Sequence, residues 1–398
     1  MSWEKVRLGD VTDSCLGKML DQEKNKGDYH PYLANVNVRW GSFDLENLPQ
    51  MRFEDDEQER YGLKYGDLII CEGGEPGRCA IWKDAIPNMK IQKALHRVRV
   101  HDCLDYRYLF YWFLWAGKRG ALEQYFTGAT IKHMPGQKLK SVIIDKPPIE
   151  TQRRIADILS AYDELIENNR KQIKLLEEAA QRLYKEWFVD LRFPGHEHTK
   201  IVDSVPEGWE KSTVSNISSV LRRGISPKYN DQAELMVINQ KCIRQTVVTF
   251  DEARKQEKPF PEEMNLQDGD TVICSTGAGT LGRVGQIFGN YPQTTFDSHV
   301  TLVRAKPDFG TQYLFHFLKS HQEYLMGMGK GSTNQLELSR GTIQDLGILV
   351  PIKEIGKEFE TLAQSFHDKI GVTNAEIRHL QNARDRLLPK LMSGEVEV

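Results

Sequence analysis

Residues 149–187 read IETQRRIADILSAYDELIENNRKQIKLLEEAAQRLYKEW. Ile155, Tyr162, Asn169, Leu176 and Leu183 step through this stretch by sevens, and Leu159, Ile166, Ile173, Ala180 and Trp187 form a second row four residues on. Alternating four–three spacing over about five heptads marks a helix that buries one narrow seam against another helix. The same chain supplies a second such helix. Phe359, Phe366, Thr373, Leu380 and Leu387, with Ala363, Ile370, Ile377, Arg384 and Leu391, repeat both rows at an offset of 204. Each helix of about 37 residues spans roughly 55 Å. The spacing predicts two long helices paired as an antiparallel coiled coil; the plainer reading is two amphipathic helices packed on their own domains. Asn169 and Thr373 interrupt the seams near mid-helix and are expected close to one layer, where a polar pair sets register at some cost in stability. Arg384 breaks its row near one end, where solvent is expected to reach it.

The offset recurs along the chain. Asp67-Leu-Ile-Ile-Cys71 follows Gly66, and Asp270-Thr-Val-Ile-Cys274 follows Gly269, 203 residues later. Tyr108-Leu-Phe and Tyr313-Leu-Phe, Gly128-Ala-Thr130 and Gly331-Ser-Thr333, and Trp3-Glu-Lys and Trp209-Glu-Lys recur in the same order. A period this long is a domain duplication rather than a solenoid. In each copy short β-rich runs with glycine turns come first. Strands are expected at Asp67–Cys71, Leu95–Val100 and Val142–Asp145, and at Thr271–Ser275, His299–Arg304 and Gly347–Val350; helices are expected at Tyr106–Ala116 and Thr311–Tyr324. Pro147-Pro148 and Pro351 then close the globular part, since proline is tolerated just before a helix and not within one. The fold class is α+β: a globular α/β domain at 1–150, a central helix at 151–190, a linker at 191–206, a second domain at 207–350 and a C-terminal helix at 351–398.

The chain has 398 residues, 39% apolar and 27% charged, which excludes disordered and collagen-like classes. No apolar run approaches 18 residues, so no membrane span is expected, and the N-terminus lacks the apolar core of a signal peptide. Six scattered cysteines without a CxxC pair read as reduced thiols of a cytoplasmic protein. Gly277-Ala-Gly279-Thr-Leu-Gly282 matches GxGxxG after an expected strand, but Arg283-Val-Gly-Gln-Ile-Phe-Gly is strand-like where a dinucleotide site needs a helix. A glycine-rich β-turn is the plain reading; a loop tipped by Arg283, matched by Arg78 in the first copy, that approaches DNA is another, and a self-contained nucleotide-binding enzyme using this loop is a third. No Walker A sequence, GxSxG elbow or Asn/Asp-Pro-Pro-Tyr/Phe motif is present, so catalytic residues and metal ligands are expected to be absent.

Antiparallel helices would carry one domain at each end about a pseudo-twofold axis, a geometry suited to two sites on double-stranded DNA. The net charge is −3, yet between Lys64 and Lys140 basic residues outnumber acidic ones by thirteen to seven. A near-neutral total thus leaves room for a basic face. Phosphate contact needs cations, and base reading needs Arg for guanine or Asn and Gln for adenine. On that chemistry the candidate DNA-binding residues of the first copy are Lys18, Asn35, Asn37, Arg39, Arg78, Lys90, Gln92, Lys93, Thr130, Lys132 and His133. Those of the second are Arg222, Arg223, Lys228, Asn239, Gln240, Lys241, Arg283, Ser332, Thr333, Asn334 and Gln335. For any one of them a solvated surface residue or a satisfied backbone hydrogen bond is the plain alternative. The two sets differ strongly, so the half-sites should differ and the target should not be palindromic.

Three joints resemble the DNA-specificity subunit of type I restriction–modification systems: Pro147-Pro148-Ile149-Glu150-Thr151-Gln152-Arg153-Arg154-Ile155; Leu183-Tyr-Lys-Glu-Trp-Phe-Val-Asp190 followed by Val205-Pro-Glu-Gly-Trp-Glu210; and the C-terminal RDRLLPKLMSGEVEV. That family's helix entry reads Pro-Pro-x-x-Glu-Gln-x-x-Ile; here Thr151 replaces its Glu, with Glu150 just before it, and the second helix departs further, since Pro351-Ile-Lys-Glu-Ile-Gly-Lys lacks the Glu-Gln pair. The resemblance covers the whole chain in order. It implies two target-recognition domains, each reading one half of an asymmetric bipartite DNA target, with the helices as a ruler for the unread spacer. It implies docking of two adenine methyltransferase subunits on the helices and attachment of restriction–translocation subunits. It also implies no catalysis and no cofactor on this chain, with S-adenosylmethionine on the methyltransferase and ATP with Mg2+ on the restriction subunit. Trp187, Phe188, Leu387 and Leu391 are expected either to help dock methyltransferase helices or to form helix-pair core. A coiled-coil adaptor that binds proteins and reads no DNA is the competing class.

Overall fold

The computed structural model describes residues 3–21, 25–329 and 336–398. The chain divides into two compact units, one made of residues 1–167 and 378–398, the other of residues 168–377.

In the first unit, strands Thr12–Leu16, Leu95–Val100, Leu68–Cys71 and Cys79–Ile81 form an antiparallel sheet in that order. A smaller sheet pairs Gln50–Phe53 antiparallel and Lys90–Ile91 parallel with Asp28–Leu33. Leu68–Cys71 is buried at all four positions, as expected of a strand covered on both faces. Helix Tyr106–Lys118 is apolar on most of its surface because it also lies inside the core. Asp105 starts this helix, its carboxylate accepting from the backbone N–H groups of Arg107 and Tyr108 at 2.9 and 3.1 Å.

The second unit repeats the plan. Ser218–Arg223, Val300–Ala305, Thr271–Cys274 and Val284–Gln286 form the larger sheet; Arg254–Lys255, Met236–Ile238 and Thr294–Phe296 form the smaller, again with one parallel pair. The expected helix over 311–324 is two: Thr311–Ser320 and Gln322–Gly327, broken at His321. The repeated Gly-Asp pair has one job in both units. Gly66 and Gly269 take φ of +88° and +81° in the turn before the strand. The buried Asp67 carboxylate then accepts the Lys64 N–H at 2.7 Å and both forks of Arg99 at 2.8 Å. Asp270 accepts the Gln267 N–H at 2.8 Å and both forks of Arg304 at 2.7 Å.

The two long helices run Ile149–Tyr184, continued by a π-helical turn at Lys185–Val189, and Lys353–Ser393. Within each unit they lie antiparallel. In the first, Ile155 and Leu159 near the start of one share a core with Leu388 and Leu391 near the end of the other. In the second, Tyr184 and Trp187 meet Phe359, with ring centroids 6.1 and 5.9 Å apart. Asn169 and Thr373 are both buried, but Asn169 Nδ2 has no hydrogen-bond partner among the described residues, so the Asn169 amide donates no hydrogen bond to Thr373. Arg384 is largely enclosed rather than solvent-facing: it pairs with Asp163 and with Asp385, because two carboxylates flank the seam there.

The departure of the second helix start has a local cause. In the first unit the buried Gln152 accepts the Asp105 N–H at 2.8 Å and donates to the carbonyl of Pro147 at 2.8 Å, clasping two helix starts. In the second unit Glu360 takes over, its carboxylate accepting from the N–H groups of Gln312 (3.0 Å) and Tyr313 (3.2 Å). A carboxylate at a helix N-terminus meets unpaired donors and the positive end of the dipole. Burial pushes the Glu360 carboxyl upward, and those N–H donors pull it back.

Candidate nucleic-acid interface

In the first unit four candidate loops converge. Asn35 donates its amide to the Gly73 carbonyl at 2.7 Å and accepts from Arg78 at 2.9 Å. Gly73 lies against His133; a Cβ there would come within 2.8 Å of the His133 ring, which is why the position is glycine. The Glu72 N–H reaches the Ala94 carbonyl at 2.9 Å, which brings in the turn carrying Gln92 and Lys93. Thr127 and His133 close the exposed loop that holds Thr130 and Lys132. Lys93, Thr130, Lys132 and His133 are exposed, Gln92 is half-buried, and Arg39 is exposed with its guanidinium on the Val38 carbonyl at 3.1 Å.

Three first-unit expectations are corrected. Lys18 is buried, donating to the Arg52 carbonyl at 3.0 Å and pairing with Glu57. Lys90 is buried at 3% exposure, and burial lowers the ammonium's pKa. Asn37 is buried, with its side chain bonded to Ala34 N–H at 2.9 Å and Asp44 O at 3.1 Å. None of the three presents its polar group outward.

In the second unit Gln240 receives the Thr280 hydroxyl at 3.3 Å and packs beside Gly277. Thr276 bonds His299 Nδ1 at 2.6 Å and bridges Glu337 in the backbone. Asn239 is held by its own loop, accepting the Lys241 N–H at 2.8 Å and donating to Glu252 O at 2.8 Å. Asn239, Gln240, Lys241, Asp297 and His299 line one groove together with Tyr229 and Arg254. Burial raises the Asp297 carboxyl, opposed by the His299 N–H it accepts. Ser332, Thr333, Asn334 and Gln335 lie outside the described residues. His299, Tyr229 and Arg254 escaped the sequence reading: His299 stands opposite Ala94 in the repeat, and nothing in the spacing marks the other two.

Many candidate cations have acidic partners within the chain. Arg78 pairs with Glu75 at 3.0 Å, and Arg222, Arg223 and Lys228 pair with Glu263, Glu337 and Glu257. Lys93 and Lys241 make no ion pair among the described residues. Arg283 is half-buried at the end of the glycine loop. That loop joins Thr271–Cys274 to Val284–Gln286, an antiparallel hairpin. No helix starts there, so the N–H cluster that would cradle a pyrophosphate is missing and the nucleotide-binding reading loses its geometry.

Of the expected docking residues, Trp187, Phe188 and Leu391 are core. The Phe188 ring lies 4.6 Å from Tyr313 and 4.9 Å from Phe359, and Leu391 is buried in the first unit. Leu387 is partly buried against that same core. The apolar residues that the long helices leave exposed include Leu165, Leu175, Leu362 and Val372.

A family model described as the type I restriction modification DNA specificity domain matches residues 1–178 and again 206–382. The MjaIX type I restriction enzyme specificity subunit of Methanocaldococcus jannaschii is 25% identical over 346 residues, covering 84% of this chain and 78% of that one. The MjaVIII specificity subunit of the same organism is 24% identical over 421 residues, covering 100% of this chain and 93% of that one. A crystal structure of a type I restriction–modification S subunit from M. genitalium shares the fold, with a TM-score of 0.58 at 17% identity over 98% of this chain and 96% of that one.

Proposed function

Since the chain belongs to the type I restriction–modification DNA specificity family, we propose that it reads an asymmetric, two-part DNA target, one half with each recognition domain. The observation that carries this reading is the pairing of a repeated scaffold with unlike loops. Both units hold a four-stranded and a three-stranded sheet with matching strand order. The helical turn after the small sheet's middle strand reads Asn35-Val-Asn37 in the first unit and Gln240-Lys241-Cys242 in the second, and the second carries His299 where the first has Ala94. A shared frame with different donors and acceptors suits two different half-sites. The chain contributes recognition rather than catalysis. Chemistry falls to two methyltransferase subunits, which bring S-adenosylmethionine, and to restriction–translocation subunits, which bring ATP and Mg2+. The apolar residues that the long helices leave exposed, Leu165 in the first unit and Leu175, Leu362 and Val372 in the second, supply helix surface in each unit for methyltransferase docking, in the cytoplasm where the DNA lies.

The test is co-expression with the neighbouring methyltransferase gene, followed by mapping of methyladenine across the host genome. The expected result is a two-part, non-palindromic motif with a spacer of fixed length. A palindromic motif, or no methylation from a soluble assembled complex that also fails to select a DNA sequence, would leave the adaptor reading instead.

A further inference from the structure

In the first unit one side-chain amide is held from two sides by partners of opposite polarity. Asn35 opens the helical turn Asn35–Asn37 that follows strand Asp28–Leu33. Its Nδ2 donates to the Gly73 carbonyl at 2.7 Å, and its Oδ1 accepts from Arg78 Nη2 at 2.9 Å. A carbonyl only accepts and a guanidinium only donates, so the sense of the amide is fixed. An amide offers two N–H donors and two acceptor lone pairs, and among the described residues one of each is left without a partner. Arg78 is spent on this hold. It also donates to the Asn35 carbonyl at 3.2 Å and pairs with Glu75 at 3.0 Å, and the other oxygen of Glu75 accepts Trp40 Nε1 at 2.7 Å.

The turn presents two residues outward. Three residues complete one turn of such a helix, and Asn37 points inward, its side chain bonded to Ala34 N–H and Asp44 O. Asn35 and Val36 therefore take the outer side, Asn35 half-buried and Val36 70% exposed. A Cβ on Gly74 would come within 3.4 Å of Asn35 Oδ1, so glycine there keeps a side chain off the amide. The matching turn of the second unit, Gln240-Lys241-Cys242, puts a lysine where Val36 stands, and Gln240 Oε1 accepts the Thr280 hydroxyl instead.

We propose that Asn35 and Val36 read one A·T pair of the first half-site from the major groove. The open N–H of Asn35 meets adenine N7, its open lone pair meets the adenine amino group, and the Val36 methyls meet the C5 methyl of the paired thymine. One donor beside one acceptor selects adenine, because guanine shows two acceptors in that groove and cytosine an amino donor alone. Arg78 is a positioning residue: it touches no base and acts by holding Asn35. The proposal rests on the DNA-recognition reading above and narrows it to one base pair.

The experiment uses the assembled complex with its methyltransferase subunits, as wild type, Asn35→Ala, Val36→Ala and Arg78→Lys. Each is titrated with a scrambled duplex and with duplexes bearing the mapped target. In the target series each A·T pair of the first half in turn carries 7-deazaadenine, which lacks the N7 acceptor, or uracil for thymine, which lacks the methyl group. At one pair 7-deazaadenine should weaken wild-type binding by up to about tenfold, and uracil by about fourfold. At that pair Asn35→Ala should be indifferent to 7-deazaadenine and Val36→Ala to uracil. The methylation motifs of Asn35→Ala and Arg78→Lys should relax at that one position and keep the second half unchanged, while Arg78→Lys binds scrambled DNA as wild type does. A first half without an A·T pair, or a wild-type complex insensitive to both analogues at every such pair, would overturn the proposal even where a variant fails to assemble. So would variants that keep the wild-type response, or a motif that relaxes in the second half. A wild-type complex that does not prefer target over scrambled DNA removes the recognition reading and this one together; a preference that survives every analogue removes only this one.

Discussion

Asp270→Asn should damage the second unit and spare the first. The carboxylate is 2% exposed and accepts three hydrogen bonds, two from Arg304 at 2.7 Å and one from Gln267 N–H at 2.8 Å. Asparagine keeps one acceptor oxygen and turns an NH2 group toward a donor. Loss of a charge-assisted hydrogen bond costs about 1.5–3 kcal/mol, and breaking a buried ion pair costs about 3–5 kcal/mol. Arg304 retains Asn265 O at 2.8 Å and Glu263 O at 3.0 Å and is 16% exposed, so its charge is not wholly stranded. The lower end, about 3 kcal/mol, is therefore expected, a factor of roughly 150 in the opening equilibrium. The matching Asp67→Asn change should cost less, about 2 kcal/mol, because Arg99 is 30% exposed and water can replace the lost acceptor. Hydrogen exchange reads this directly. Asp270→Asn should speed exchange in Thr271–Cys274 and Val300–Ala305 and leave Leu68–Cys71 and Leu95–Val100 unchanged, since each unit has its own cores. Equal acceleration in both units, or a cost below about 0.5 kcal/mol, would refute the reasoning.

The second unit should lose stability in mild acid. Burial holds His316 at about 3, helped by the nearby His367. The folded value lies below the unfolded one, so stabilisation is complete above about pH 6.5 and is lost as pH falls toward 3, by up to about 1.4 kcal/mol per pH unit. Urea midpoints at pH 7.5 and 5.5 measure it, and a His316→Asn variant should show a smaller shift than wild type. Trp187→Ala should cost about 3–5 kcal/mol by opening a cavity in the aromatic core. Leu175→Asp, at a position 65% exposed, should change stability by less than about 0.5 kcal/mol yet loosen methyltransferase attachment. Calorimetry paired with size-exclusion of the complex separates these two effects, and unimpaired assembly by Leu175→Asp would remove that surface from the docking site.

The duplication was legible because it leaves marks at residues whose jobs are local. Gly66-Asp67 and Gly269-Asp270 each build the same turn, and the heptad rows each build the same helix. The strand runs around them were recognisable to within a residue or two, as with Val142–Asp145 against the observed Ile143–Lys146. Side-chain direction was not legible where it depends on distant chain. Lys18 turns inward because Glu57 and the Arg52 carbonyl wait there. Trp187 and Phe188 were equally consistent with docking or with core until Phe359 and Tyr313 were placed against them. The stacking of Arg52 on Tyr29, 4.9 Å from guanidinium carbon to ring centre, depends on the cross-strand register that sets them opposite, which a hydrophobic pattern does not reveal for exposed positions.

The central claim is that one chain carries two independent readers. Replacing residues 207–350 with the corresponding domain of a relative that differs there, and remapping methyladenine, tests it most directly. The account predicts a motif in which one half changes and the other half stays as it was. A motif that changes in both halves, or in neither while methylation persists, would contradict it.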